Sequence, residues 1–139
     1  MPANTSPIFT LTPQVEWSTT MYGANTGNLS AGTTYMAFSA ASNGSYVQKI
    51  RFKHQSSNVN SVATVARVFI NNGASTGTAA NNTIWDEVTI AANTAVQNAA
   101  TITYELPLNF ALPPFYTIYC TLGTGVFGGI QATVIGGDY

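Results

Sequence analysis

Apolar residues in this chain return at every second position, in short runs separated by Asn, Gly, Pro and Ser. No stretch repeats them at the helical interval of 3.6 residues. A side-chain period of two belongs to half-buried strands, so the chain is confined to all-β architectures before any residue has been given a role. The clearest run is Tyr46-Val47-Gln48-Lys49-Ile50-Arg51-Phe52-Lys53, with Ile50 and Phe52 on one face and Lys49, Arg51 and Lys53 on the other. Ala63 to Ile70 is apolar and β-branched on both faces, which suits a central strand. Further alternating sets are Ile84, Val88 and Ile90; Ile102, Tyr104, Leu106 and Leu108; Tyr116, Ile118, Cys120 and Leu122; and Ile130, Ala132 and Val134. Ile8-Phe9-Thr10-Leu11 and Thr34 to Phe38 read as two weaker strands. Turn chemistry separates the runs at Ser42-Asn43-Gly44, Asn71-Asn72-Gly73, Ala92-Asn93-Thr94, Pro113-Pro114 and Gly123-Thr124-Gly125. About eight strands at this spacing predict a single-domain β-sandwich, jelly-roll-like, with four strands in each sheet. The body is expected over residues 31–139. Residues 1–30, with Pro2, Pro7 and Pro13 and little strand pattern, read as an extended N-terminal arm, and 71–82 as an exposed polar loop.

Composition narrows the function. Only 6% of the 139 residues are charged, against about a quarter in an ordinary soluble domain, while 45% are hydrophobic and 12% aromatic. Thr, Ser, Asn and Ala stand where ions would. Dispersed charge keeps proteins apart, so a surface this poor in it is read as one covered by neighbours in the working state. A net charge of −1 excludes the strongly basic face through which nucleic-acid binders neutralise phosphates. No apolar run approaches the roughly 20 residues of a membrane helix, and the N-terminus lacks the basic and apolar regions of a signal peptide. Cys120 is the single cysteine, so neither an intrachain disulfide nor a thiolate metal cluster is expected.

The pattern holds little chemistry. A Cys–His nucleophile would join Cys120 to His54, the single histidine, but alternation puts Cys120 among Ile118 and Leu122 as a small buried hydrophobe. Asp86 and Glu87 are adjacent on a strand and point to opposite faces, which is wrong for the facing carboxylates of a glycosidase. Gly123, Gly125, Gly128 and Gly129 precede no helix and are read as bends or bulges rather than a phosphate loop. No catalytic residue, cofactor or metal is expected. Two charges lie in apparently apolar rows, Arg67 between Val65 and Phe69, and Asp86 with Ile84 and Val88. They are read either as an ion pair on adjacent strands or across a subunit contact, or as side chains reaching solvent at a sheet edge. The stripe Lys49, Arg51, Lys53 is either a solvated outer face or a docking surface for an acidic scaffold, with polyanion binding a third possibility. Trp17, Trp85, Tyr22, Tyr35, Tyr46 and Tyr119 are read as core or interface residues, or as a sugar-stacking platform.

The runs Ala63-Thr64-Val65-Ala66-Arg67-Val68-Phe69-Ile70-Asn71-Asn72-Gly73, Asn81-Asn82-Thr83-Ile84-Trp85-Asp86-Glu87, Glu105-Leu106-Pro107-Leu108-Asn109-Phe110 and Gly136-Gly137-Asp138-Tyr139 resemble small all-β virion proteins of tailed bacteriophages. The resemblance spans slightly more than the C-terminal half of the chain. It implies a structural, non-enzymatic protein made in the bacterial host cytoplasm and carried on the virion head surface. Its implied role is that of a capsid decoration (cement) protein, homotrimeric and bound to the major capsid protein. On this reading Lys49, Arg51, Lys53, Arg67, Asp86, Trp17, Trp85 and Tyr139 are the candidate docking or interface residues. A tail or baseplate component and a carbohydrate-binding β-sandwich module are the alternatives, the latter with a glycan as partner.

Overall fold

The computed structural model describes residues 9–30, 32–55 and 59–139. Among the described residues eight strands form: β1 Thr12–Trp17, β2 Tyr35–Ser39, β3 Ser45–His54, β4 Thr64–Asn71, β5 Asn82–Ile90, β6 Thr103–Leu112, β7 Thr117–Leu122 and β8 Ile130–Asp138, with one short 3₁₀ turn at Ala79–Asn81. They make two antiparallel sheets in the orders β1-β8-β3-β6 and β2-β7-β4-β5. The pairings β1–β8, β2–β7, β3–β6 and β4–β5 are the rungs of one long hairpin, first strand with last and inwards. Successive rungs alternate between the sheets, so the hairpin is rolled around the core. This wrapping is a jelly roll.

The inner faces close on Phe38, Val47, Ile50, Phe52, Val68, Ile118, Leu122, Ile130 and Val134, none of which is measurably exposed. Each such side chain contributes roughly 1.5–3 kcal/mol by leaving water. Cys120 lies among them, as alternation predicts. Ile50 and Phe52 are buried while Arg51 is exposed and Lys49 and Lys53 are partly so, in agreement with the expected faces.

Four expectations are corrected. The first strand falls at Thr12–Trp17 instead of Ile8–Leu11; Ile8 lies outside the described residues. This strand sits inside the segment read as an arm and pairs with β8 along its whole length, so residues 12–17 are part of the sandwich. Ile102 precedes β6 and is exposed rather than sharing a face with Tyr104. Finally, the ladder between β4 and β5 shifts between Val68 and Phe69. Val68 pairs with Asp86 but Phe69 with Ile84, leaving Trp85 as an extra, bulged residue. One inserted residue reverses the faces on either side of it, so Ile84 leaves the row of Val88 and Ile90 and is half exposed.

The β1–β2 connection is structural as well. Ala24 bridges Leu122 of β7, and Asn28 accepts a hydrogen bond from Asn82 of β5 at 3.1 Å. Because β4 lies between those strands, the connection crosses the outer face of the second sheet. Leu29 and Phe69 are 2% and 3% exposed yet stand apart from the main core. The 71–82 loop is ordered by asparagines. Asn71, 1% exposed, donates to Asn82 Oδ1 at 2.7 Å, accepts the Gly73 N–H at 2.8 Å and takes the Thr117 hydroxyl at 3.3 Å. Asn82 continues to the Thr76 carbonyl at 2.8 Å. Asparagine carries both donor and acceptor, so it can stand in for ladder bonds where the strands part.

Candidate interaction surface

Antiparallel alternation places two outward side-chain carpets on the sandwich, and the register shows what each contains. On the first sheet one cross-strand row reads Trp17, Thr133, Arg51, Glu105, and the next reads Val15, Ile135, Lys49, Pro107. The β1 edge of this carpet is apolar, with Val15 54% and Trp17 63% exposed. Its middle is basic. Lys49 reaches diagonally to both oxygens of Glu105 at 3.1 Å, and Lys53 donates to the Thr101 carbonyl at 2.9 Å. Arg51 is exposed and, among the described residues, its guanidinium makes no hydrogen bond or ion pair.

The expected Arg67–Asp86 pair is replaced by another. Val65, Arg67 and Phe69 point outward, because Ala66 and Val68 face the core. Arg67 therefore lies opposite Glu87, and its Nε donates to that carboxylate at 3.2 Å. Asp86 stands opposite Val68, on the inner side of an edge strand, and among the described residues its carboxylate accepts only the N–H of the next residue, Glu87, at 2.8 Å. Glu87 escapes the sequence reading because the row Val65, Arg67, Phe69 is largely apolar and yet points outward. Cross-strand register, which alternation alone does not supply, would have found it. Trp85 itself is 49% exposed and packs one side on Phe110 of β6, ring centroids 4.6 Å apart, where the two sheets meet.

The remaining charges are held by neighbours. Glu16 accepts the Ser39 N–H at 2.9 Å, tying β1 to β2 across the sandwich edge. Asp138 accepts from Gln14 at 2.7 Å and from the buried hydroxyl of Ser45, which in turn accepts the Ala41 N–H at 3.1 Å. Tyr139 is half-buried, its N–H bonded to the Gly44 carbonyl at 3.2 Å. These contacts hold the last strand to β1, β3 and the β2–β3 turn. All nine charged residues lie on strands; every connection between strands is free of charge.

Strand direction sends four of those connections, 18–34, 55–63, 91–102 and 123–129, to one end of the sandwich. That end carries exposed Tyr22, Val62, Val96, Ile102 and Phe127, the last at 80%. The loops brace one another. Ser61 pairs with Asn93, Ala95 N–H donates to Asn60 at 2.7 Å, and Val126 N–H donates to the Tyr22 carbonyl at 3.0 Å. Tyr22 and Phe127 flank a shallow apolar cleft with Gly125 and Gly128. Tyr22 stands among the aromatics of the sequence reading and Ile102 in one of its strand rows, but neither pattern nor charge singles out Val62, Val96 and Phe127; large apolar side chains within connections rich in small polar residues are the signal that marks them.

The residues of conventional chemistry are occupied structurally. His54 is 8% exposed, with Nδ1 3.3 Å from the Ser61 hydroxyl. Burial holds its imidazole below the ordinary value, nearby Lys53 adds to this, and a hydrogen bond with the Ala91 backbone opposes it. Cys120 is wholly buried, and burial pushes its thiol up, away from the reactive thiolate. Among the described residues no three His, Cys, Asp or Glu side chains gather as a metal site requires, and no helix is long and apolar enough to cross a membrane. The six aromatics read as a sugar platform are dispersed. Trp17 is on the first sheet and Tyr119 on the second; the Tyr35 hydroxyl is taken by the N–H groups of Tyr22 and Gly23, at 3.0 and 2.8 Å.

No family model matches the sequence, and no curated protein matches it. Among solved structures, the chain is similar to one from the crystal structure of the T13 IBDV viral particle, with 17% identity and a TM-score of 0.35 over 97% of this chain and 35% of that one. It is also similar to a chain from the structure of the infectious bursal disease virus Gt strain, with 15% identity and a TM-score of 0.31 over 98% of this chain and 36% of that one. The chain thus spans about a third of the length of either. At these scores the likenesses add nothing to the strand order, which stands on its own pairings.

Proposed function

We propose that this chain is a non-enzymatic structural protein of a virion, a capsid decoration (cement) protein that binds the outer head lattice of a tailed bacteriophage as a homotrimer and bridges subunits of the major capsid protein. One observation carries the reading. A jelly roll with very few charges, nearly all engaged within the molecule, shows large apolar side chains on one sheet face and one end. Such a surface has its free energy minimum when covered. The engaged charges leave little to repel a neighbour, and a specific contact of on the order of 1,600 Å² would hold a copy without any chemistry. The likeness of residues 63–73, 81–87, 105–110 and 136–139 to small phage virion proteins favours the head. Cryo-EM of the particle tests the proposal. The expected result is eight-stranded density on the outer head surface around local threefold points. Density in the tail or baseplate would move the protein to that structure. A free protein that binds glycans, through a site such as the Tyr22–Phe127 cleft, would replace the proposal with the carbohydrate-binding one.

A further inference from the structure

Nine charges are few enough to follow individually. Seven are engaged by another strand or loop: Glu16 by Ser39, Lys49 by Glu105 and the reverse, Lys53 by Thr101, Arg67 by Glu87 and the reverse, and Asp138 by Ser45 and Gln14. Two are left over among the described residues, and they are of opposite sign. Arg51 stands on the outer face of the first sheet without a partner. Asp86 is half-buried on the inner side of β5, an outermost strand of the second sheet, where its carboxylate has only the N–H of the next residue. Each also has one of the chain's two tryptophans beside it. Trp17 shares the cross-strand row of Arg51 with Thr133 between them; Trp85 immediately precedes Asp86 and, with Ile84, leaves about half its surface in water.

We infer that these two patches meet between copies of the chain, the β5 edge of one copy lying on the outer face of the first sheet of the next, with Asp86 against Arg51 and the Ile84–Trp85 surface against Val15 and Trp17. Trp17 and Arg51 are two strands apart, about 10 Å, with the short Thr133 between them, a span that matches the width of one strand edge. Net charge agrees. The first face has three cations and Glu105, a balance of +2, whereas β5 with its Arg67 neighbour has two carboxylates and one cation, a balance of −1. The two patches are different surfaces, so the contact is heterologous; repeated, it closes into a ring or runs on as a filament. It concerns how copies meet one another, and its test needs no shell, so it and the virion proposal fail separately.

The test is a charge swap read by sedimentation over a range of concentrations. Wild type self-associates. R51E and D86K each weaken association at least about tenfold, because a like charge now faces an unpaired one. The double variant R51E/D86K regains wild-type association, and an equimolar mixture of the two single variants associates more strongly than either variant alone, since each supplies the surface its partner lacks. W17A weakens association without altering its response to the swap. Circular dichroism melts within a few degrees of wild type show that the variants fold. A wild type that stays monomeric at every concentration, single variants that associate like wild type, or a swap that fails to restore the contact would each overturn the inference.

Discussion

Gly136 lies in β8, which is paired on both sides, with Gln14 of β1 and with Val47 of β3. At Val47 the β3 ladder takes in an extra residue, Gln48, and the backbones crowd. A Cβ on residue 136 would stand 2.2 Å from the Tyr46 carbonyl oxygen and 3.1 Å from Val47 Cα. Ordinary contact begins at 3.4 Å, so the oxygen would have to retreat by about 1.2 Å. That oxygen belongs to a central strand held on both edges, and moving it loosens ladder bonds worth about 1 kcal/mol each in addition to the strain of overpacking, about 1–3 kcal/mol. G136A is therefore expected to lose about 3 kcal/mol, a large part of the 5–15 kcal/mol of a typical domain. Urea unfolding followed by tryptophan fluorescence measures it. With a slope of about 2 kcal/mol per molar, the midpoint falls by about 1.5 M at unchanged slope. The control is G77A, where the nearest atom to an added Cβ is a flexible Ser75 hydroxyl at 3.4 Å and the change should be within about 0.5 kcal/mol. If G136A unfolds at the same midpoint as G77A, the close approach of β3 and β8 is not what requires glycine there.

The Arg67–Glu87 pair is part-exposed, so a double-mutant cycle over R67A and E87A is expected to give a coupling below about 1 kcal/mol, while R67A and D86A are additive; coupling to Asp86 instead would refute the register at the bulge. Because burial lowers the His54 pKa, the unfolded chain binds more protons than the folded one in the window from the ordinary value of about 6.5 downward, and stability falls as pH drops through that window. Urea midpoints at pH 7.5 and pH 5 should differ more for wild type than for H54Q; equal pH slopes would show that His54 is not the cause. Cys120 should react with a thiol reagent only as fast as the protein unfolds, because the wholly buried thiol is both inaccessible and protonated. N71A, which removes the donor to Asn82 and the acceptor for Gly73, is expected to cost about 1–3 kcal/mol and to expose the 71–82 loop to proteolysis; an uncut loop in a folded N71A protein would count against the asparagine ladder.

Alternation along the chain was enough to define an all-β sandwich and to find seven of its strands, because a period of two records which side of a sheet meets water whatever the sheet is paired with. Ile50 against Arg51, and Cys120 among Ile118 and Leu122, were legible for that reason. The first strand was not: in Thr12–Trp17 the outward residues Pro13, Val15 and Trp17 are apolar and the inward ones include Gln14 and Glu16, so its pattern is inverted relative to an ordinary edge. The burial of Leu29 and Phe69 was equally hidden, since it depends on where a long connection crosses the sheet.

Sequence by itself determined the fold class, the inner faces of most strands, the turn positions and the scarcity of charge, all of which follow from local pattern and composition. Only the tertiary structure decided who stands opposite whom. The β4–β5 register gives Arg67 to Glu87 and leaves Asp86 over, and the bulge at Trp85 turns Ile84 out of the row of Val88. The strand order gathers four uncharged connections at one end, and the β1–β8 pairing sets Trp17 in the row of Arg51. Register and layer order depend on contacts between residues far apart in the chain, and a one-residue shift in such a contact leaves no trace in the local alternation from which strands are read.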